Sequence, residues 1–326
     1  MKYYNIHNIL KIKTNIDTFI PDYFSVDHVD DPDIEFLITD LPEFDVRMKQ
    51  SGVFWHGICE DTKTLYIKYK VPIGDARLML SDLNGKTKVY FTKTYYKYSN
   101  LNELFEQILS IKLLQKDHAL IHSGCVAKNG KATLITALRD TGKTSTILQL
   151  LKHGYSFMSD DLTIVSPDGV AYCFPEPVSI SPFTTDVGKD NIITKLKKYM
   201  TKSRFEIVLG DVFKIDMTKK QVITDVIEKA DINNVYILST GNNEINKVSP
   251  IYTTIKITNT TYELFNPFRH YLLVFYANLF FIDLYQLMQK HGVIVYSALE
   301  RRKCECYEIK RFDTKYFYII NQKVTP

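Results

Sequence analysis

Gly142-Lys143-Thr144 stands between an apolar run, Thr133-Leu134-Ile135-Thr136, and a segment with helical apolar spacing at Ile147, Leu148, Leu150 and Leu151. Strand, loop and helix in that order set backbone N–H groups at a helix N-terminus, where the helix dipole favours an anion. A lysine at that point reaches the outer phosphates of a nucleotide, and a threonine hydroxyl can serve Mg²⁺. The residues that would cup the phosphates are Ala137, Arg139, Asp140, Thr141, Gly142, Lys143, Thr144 and Ser145. The complete phosphate-loop pattern opens with glycine, and here that place is Ala137. If residue 137 required a left-handed backbone, alanine would cost on the order of 1–2 kcal/mol. An empty turn is the competing reading. A second Gly-Lys-Thr, at residues 85–87, follows Asn84 between two apolar runs and reads as a hairpin turn.

Asp160-Asp161 closes a strand-like run, Tyr155 to Ser159, that enters from Gly154. Adjacent carboxylates are costly if buried unpaired. Beside a metal-bound nucleotide one can hold the metal and the other can accept a hydroxyl proton. An exposed acidic turn is the alternative.

The order of landmarks extends the comparison. His122 with Ser123-Gly124-Cys125-Val126, the turn Asn129-Gly130, the loop 137–144, His153-Gly154-Tyr155, Ser159-Asp160-Asp161 and Phe174-Pro175-Glu176-Pro177 follow one another. In this the chain resembles the HPr kinase/phosphorylase-like proteins, whose catalytic domain is related in fold to phosphoenolpyruvate carboxykinase. Two of the family's three loop glycines are replaced, at Ala137 and Asp140. The resemblance implies an ATP- or GTP-dependent, Mg²⁺-dependent kinase acting on a hydroxyl, a Ser of a protein or peptide. It implies that Lys143 holds phosphates, Thr144 and Asp161 serve the metal, Asp160 is the base and His122 lies near the transferred phosphate. For His122 a satisfied core histidine is the alternative. Residues 206–216 resemble a family segment with Glu before Arg-Gly, but the Arg is absent and no role is carried over. A binding module that holds a nucleotide or anion without turnover is the second reading. A carboxykinase is the third, and the chain lacks an added His/Lys metal constellation for it.

The elements that must position these residues follow from composition and periodicity. The 326 residues include 22 Tyr and 19 Phe, a well-cored composition that suits one large or two medium domains. With 41 basic and 37 acidic residues the net charge is +4, which gives no electrostatic argument for nucleic acid. Five cysteines, an odd number, and no signal-peptide pattern point to free thiols in a reducing cytoplasm. Cys304-Glu305-Cys306 alternates as a strand would and lacks zinc-like partners. The lysines at 195–198 read as a solvated helix face.

The pattern predicts an α/β (α+β) chain: a mostly β domain over 1–97, a linking helix over 98–116, and a nucleotide-binding domain of P-loop type over 98–326. Strands are expected at 3–12, 34–39, 64–69, 76–80, 88–95, 119–125, 162–165, 170–174, 206–216, 235–239, 251–258, 305–309 and 316–320. Ser99 is the expected cap of the helix over Leu101–Leu114. Polar residues 182–204 suit a lid or a surface that meets a protein substrate. Tyr271 to Lys290 reads as one long apolar helix. Its apolar part, interrupted by Asn278 and Asp283, falls short of the ~20 residues that span a bilayer. It suits an interface, within the chain or in a homo-oligomer.

Overall fold

Burial alternates along residues 2–14, and the chain reverses at His7-Asn8, both at positive φ (52° and 60°). That is the geometry of a type I′ turn, so the single strand expected over 3–12 is a hairpin of β1 (Lys2–Ile6) and β2 (Leu10–Thr14). The computed structural model describes residues 1–52, 54–71, 74–139, 141–180, 219–221, 225–264, 266, 269–313 and 315–324. The expected lid at 182–204 and strand at 206–216 lie outside these residues, as does Asp140.

The chain is mixed α/β. After the hairpin come β3 (Ser25–Val26), β4 (Ile34–Ile38), β5 (Lys49–Ser51), β6 (Phe54–Cys59), β7 (Thr64–Val71), β8 (Gly74–Ser81) and β9 (Thr87–Phe91). Two helices follow, α1 (Lys93–Tyr98) and α2 (Leu101–Gln115). Then come β10 (Ala119–His122), β11 (Gly124–Lys128), β12 (Lys131–Ala137), α3 (Lys143–Lys152), β13 (Ser156–Ser159), β14 (Leu162–Val165) and β15 (Val170–Tyr172). The remainder comprises β16 (Val178–Ile180), β17 (Lys219–Gln221), β18 (Lys229–Ser239), β19 (Glu244–Lys247), α4 (Pro250–Leu264), α5 (Tyr271–Leu279), α6 (Leu284–Arg301), β20 (Glu305–Lys310) and α7 (Phe317–Val324).

These elements form two compact units that cut across the expected boundary at residue 97. Unit 1 is Met1–Ile121, Val165–Asp168 and Thr261–Ala298; unit 2 is His122–Ile164, Gly169–Thr260 and Leu299–Pro326. In unit 1 one sheet runs β3-β1-β2-β4-β9-β8-β7-β6-β5. The rings of Phe36 on β4 and Phe105 on α2 stack at 4.6 Å, which seats α2 on the sheet. The second Gly-Lys-Thr is a turn as expected: the Asp82 carboxylate accepts the N–H groups of Gly85 and Lys86 at 2.9 and 3.0 Å.

Unit 2 is built on β18, which pairs in parallel with β12 on one side and β20 on the other. Beyond β12 lie β11 and then β13, each antiparallel to its neighbour. Helix α3 presents Ile147 and Leu150 to a core with Val126, Ile135, Tyr236 and Ile309. Phe317 and Ile320 of α7 join the same core.

Several expectations fail in informative ways. Residues 251–258 are part of helix α4 and 316–320 fall largely in α7, where strands were expected. Residues 93–98 are helical, with the Thr92 hydroxyl accepting the Tyr95 N–H, so the 88–95 strand ends at Phe91. The cap position of α2 is Asn100 and not Ser99. The long helix expected over 271–290 is two helices, α5 and α6, at 112° to each other. Among the described residues no single helix is long and apolar enough to cross a membrane, although this bent pair passes the same test of length and composition.

Candidate active site

The strand directions bring the site together. β12 and β13 both run antiparallel to β11, so they end on the same side: β12 at Ala137, where the loop to α3 begins, and β13 at Ser159, just before the two acids. Gly124 lets β11 pass close by. A Cβ there would sit 2.9 Å from the Asp160 carbonyl oxygen and 2.2 Å from Ile147 Cδ1. Hydroxyls then pin the chain around His122: Thr136 donates to His122 O at 3.0 Å and Thr163 to Ser123 O at 2.7 Å.

The loop itself ends in Gly142, which has φ 104° and acts as the N-cap of α3. That backbone favours glycine. The first helical bond is Thr146 N–H to Gly142 O, so the N–H groups of Lys143, Thr144 and Ser145 precede the helical ladder. Ala137 belongs to β12 and pairs with Leu238, so its backbone is extended and carries no left-handed strain. The Thr141 N–H turns to Leu138 O at 3.4 Å, a weak contact, and Arg139 is exposed.

The side chains converge. Lys143 Nζ lies 2.5 Å from Asp161 Oδ1 and 2.7 Å from His122 Nε2, and His122 Nε2 lies 2.9 Å from Asp161 Oδ1. Lys143 and His122 are buried while the Asp161 side chain is 51% exposed. On the other side Thr144 Oγ1 donates to Asp160 Oδ2 at 3.0 Å. Asp160 is 7% exposed, and its Oδ1 is buried with no hydrogen-bond partner.

The two acids are therefore in opposite electrostatic states. Burial raises the proton affinity of Asp160, and this outweighs the Lys143 charge and the Thr144 hydrogen bond. Burial acts upward on Asp161 as well, but the His122 hydrogen bond and the Lys143 charge together hold it well below the usual carboxylate range. A pair of carboxyls pushed apart in this way suits one group that takes a proton and one that stays ionised.

The residues present fit a hard cation. Mg²⁺ is usually held by one or two carboxylates together with substrate phosphates. The orphan Asp160 oxygen, the Thr144 hydroxyl and the ionised Asp161 are oxygen donors of that kind. Among the described residues no group of three or more His, Cys, Asp and Glu side chains could hold a metal ion unaided.

Of the expected site residues, the structure joins His122, Lys143, Thr144, Asp160 and Asp161 at the head of α3. Ser145 is turned inward, its hydroxyl donating to Gly142 O at 2.8 Å. Gly124, Thr136 and Thr163, absent from the expectations, support the site. Their signal was present as polar or small residues inside otherwise apolar strands. The sequence matches no protein-family model and no curated protein.

Proposed function

We propose that this chain is a nucleotide-dependent phosphotransferase resembling the HPr serine kinases, with a P-loop domain of the phosphoenolpyruvate carboxykinase type in unit 2. The supporting observation is the convergence of Lys143, His122, Asp161, Asp160 and Thr144 at the head of α3. ATP or GTP would be the donor, and a hydroxyl of a protein or peptide the acceptor. The N–H groups at the start of α3 and the Lys143 ammonium bind and orient the phosphates, which is most of what phosphoryl transfer asks of a protein. Asp160, with its raised proton affinity and free Oδ1, receives the proton of the acceptor hydroxyl. Thr144 and Asp161 would hold Mg²⁺, which when bound neutralises charge on the phosphates. His122 positions Lys143 and Asp161 by its contacts to both. None of the five cysteines is in a disulfide, which suits a reducing cytoplasm.

The test separates binding from turnover. Mg-ATP and Mg-GTP are titrated by thermal shift, where ligand at about 100 times Kd adds about 2.7 kcal/mol. Lys143→Ala abolishes the shift. Asp160→Asn keeps it but yields no phosphoserine when labelled nucleotide is incubated with cell extract. A nucleotide-binding module without turnover is the second reading, favoured by the ion pair that already occupies Lys143. Binding with no labelled product from the wild-type chain would select it.

A further inference from the structure

Phe281 is the most open large apolar side chain among the described residues, 95% exposed, and its backbone is left-handed, with φ 52°. It stands where α5 is closed: the Ile282 N–H donates to Ala277 O at 2.9 Å, the bond of a Schellman turn, whose left-handed residue is usually glycine. A phenylalanine there costs twice, once in crowding its own backbone and once in leaving its ring in water. The folded chain offers the ring no burial in return.

The surface beside it is uncharged. Tyr271, Val274 and Asn278 are exposed and follow helical spacing along α5, and no residue from Tyr271 to Ile282 carries a charge. The other side of the helix is taken up by the core, with Leu272, Leu273, Tyr276 and Ala277 buried. At the start of α5, Tyr271 lines a cavity of about 480 Å³ in unit 1, together with Tyr69, Tyr95 and Tyr98. Tyr98 and Tyr271 are each about half exposed, so the cavity is open on their side. Walls of this kind pack well against another aromatic ring.

Knob and hollow thus lie at opposite ends of one helix, about 15 Å apart at 1.5 Å per residue. A two-fold axis crossing α5 at Tyr276 would set two copies of the helix antiparallel, with position 281 of each opposite position 271 of the other, and 274 opposite 278. We propose that the chain pairs with a second copy of itself in this way, the Phe281 ring of each copy entering the tyrosine-walled cavity of the other. Such an interface must be self-complementary, and the uncharged stripe brings no like charges together across the axis. A lipid surface is the competing occupant, but the stripe keeps Asn278 in its midst and the leucines of α5 already serve the core. The proposal does not depend on phosphotransfer in unit 2.

Sedimentation velocity of the full chain over a concentration series is the test. The wild-type mass rises from monomer to dimer and stops there, as a closed two-fold requires. Phe281→Asn weakens the dimer at least about a hundredfold, because the lost ring is counted twice across the axis. Asparagine accepts the left-handed backbone, so the unfolding midpoint of the dilute monomer is kept. Tyr98→Ala, on the cavity side, weakens the dimer about tenfold with its midpoint also kept. A mass independent of concentration, an undiminished dimer in either variant, or a monomer that cosediments with phosphatidylcholine vesicles through Phe281 would overturn the proposal.

Discussion

His122 Nε2 faces two partners with one proton site. It can donate to Asp161 or accept from Lys143, and only one of those contacts is a hydrogen bond at a time. Lys143, with three donors, satisfies Asp161 in either case. Under the proposed function, phosphates arriving at Lys143 would compete with Asp161, which would lose a cation as it became free for a metal. The ion pair also couples the site to acid. The proton affinity of Asp161 in the folded chain is held below its unfolded value, so its contribution to stability is present above the usual carboxylate pKa and is lost as pH falls below about 4. Urea denaturation of wild type and Asp161→Asn should show a wild-type advantage at neutral pH that shrinks in acid. An advantage independent of pH would mean that the pair does not set the shift. Half of that side chain is open to solvent, which keeps the effect small.

The elements around the site make two demands on glycine. Gly142→Ala places a Cβ at φ 104° and should lower stability by about 1–2 kcal/mol in urea titration, through the start of α3. Gly124→Ala meets the Asp160 backbone and the tip of Ile147. Ile147 can move but the carbonyl cannot move without carrying its carboxylate, so overpacking of about 1–3 kcal/mol should come with weakened nucleotide-induced stabilisation. Loss of stability with unchanged nucleotide response would show that Gly124 serves packing alone. The loop and α3 were legible because the signal is local: a lysine and threonine after glycine, then apolar residues at helical spacing. Helix α4 was not legible. Its Ile251, Thr253, Thr254, Ile255, Ile257 and Thr258 are β-branched, yet Thr253, Thr254 and Thr260 return their hydroxyls to carbonyls four residues back, and Ile257 and Thr261 are buried. Tertiary burial decided against propensity there. The break between α5 and α6 did carry a sign. Asp283, noted only as an interruption, accepts the Gln286 N–H at 2.8 Å as a helix cap does, and Phe281 before it has φ 52°.

At the scale of the whole chain, histidine burial predicts where acid acts. His291 is fully buried against Leu120 O at 3.1 Å, and burial lowers its pKa from 6.5 to about 4. Between those values the unfolded chain takes a proton that the folded chain refuses, so stability falls as pH drops through that window, by about 3 kcal/mol at its lower end. His291→Gln should flatten the decline in chemical denaturation, and an unchanged slope would sink the assignment. What sequence could not show at this scale is the division into units, because it depends on which distant segments pack together. Residues 261–298 belong with the N-terminal sheet although the whole of 169–260 lies between them. On the ribosome, the sheet built from the first hundred residues therefore waits, with part of its packing partner still unmade, until residues 261–298 have been translated. A nascent chain halted near residue 250 would expose apolar surface that the finished protein hides, which makes the late helices the step at which a chaperone would let go.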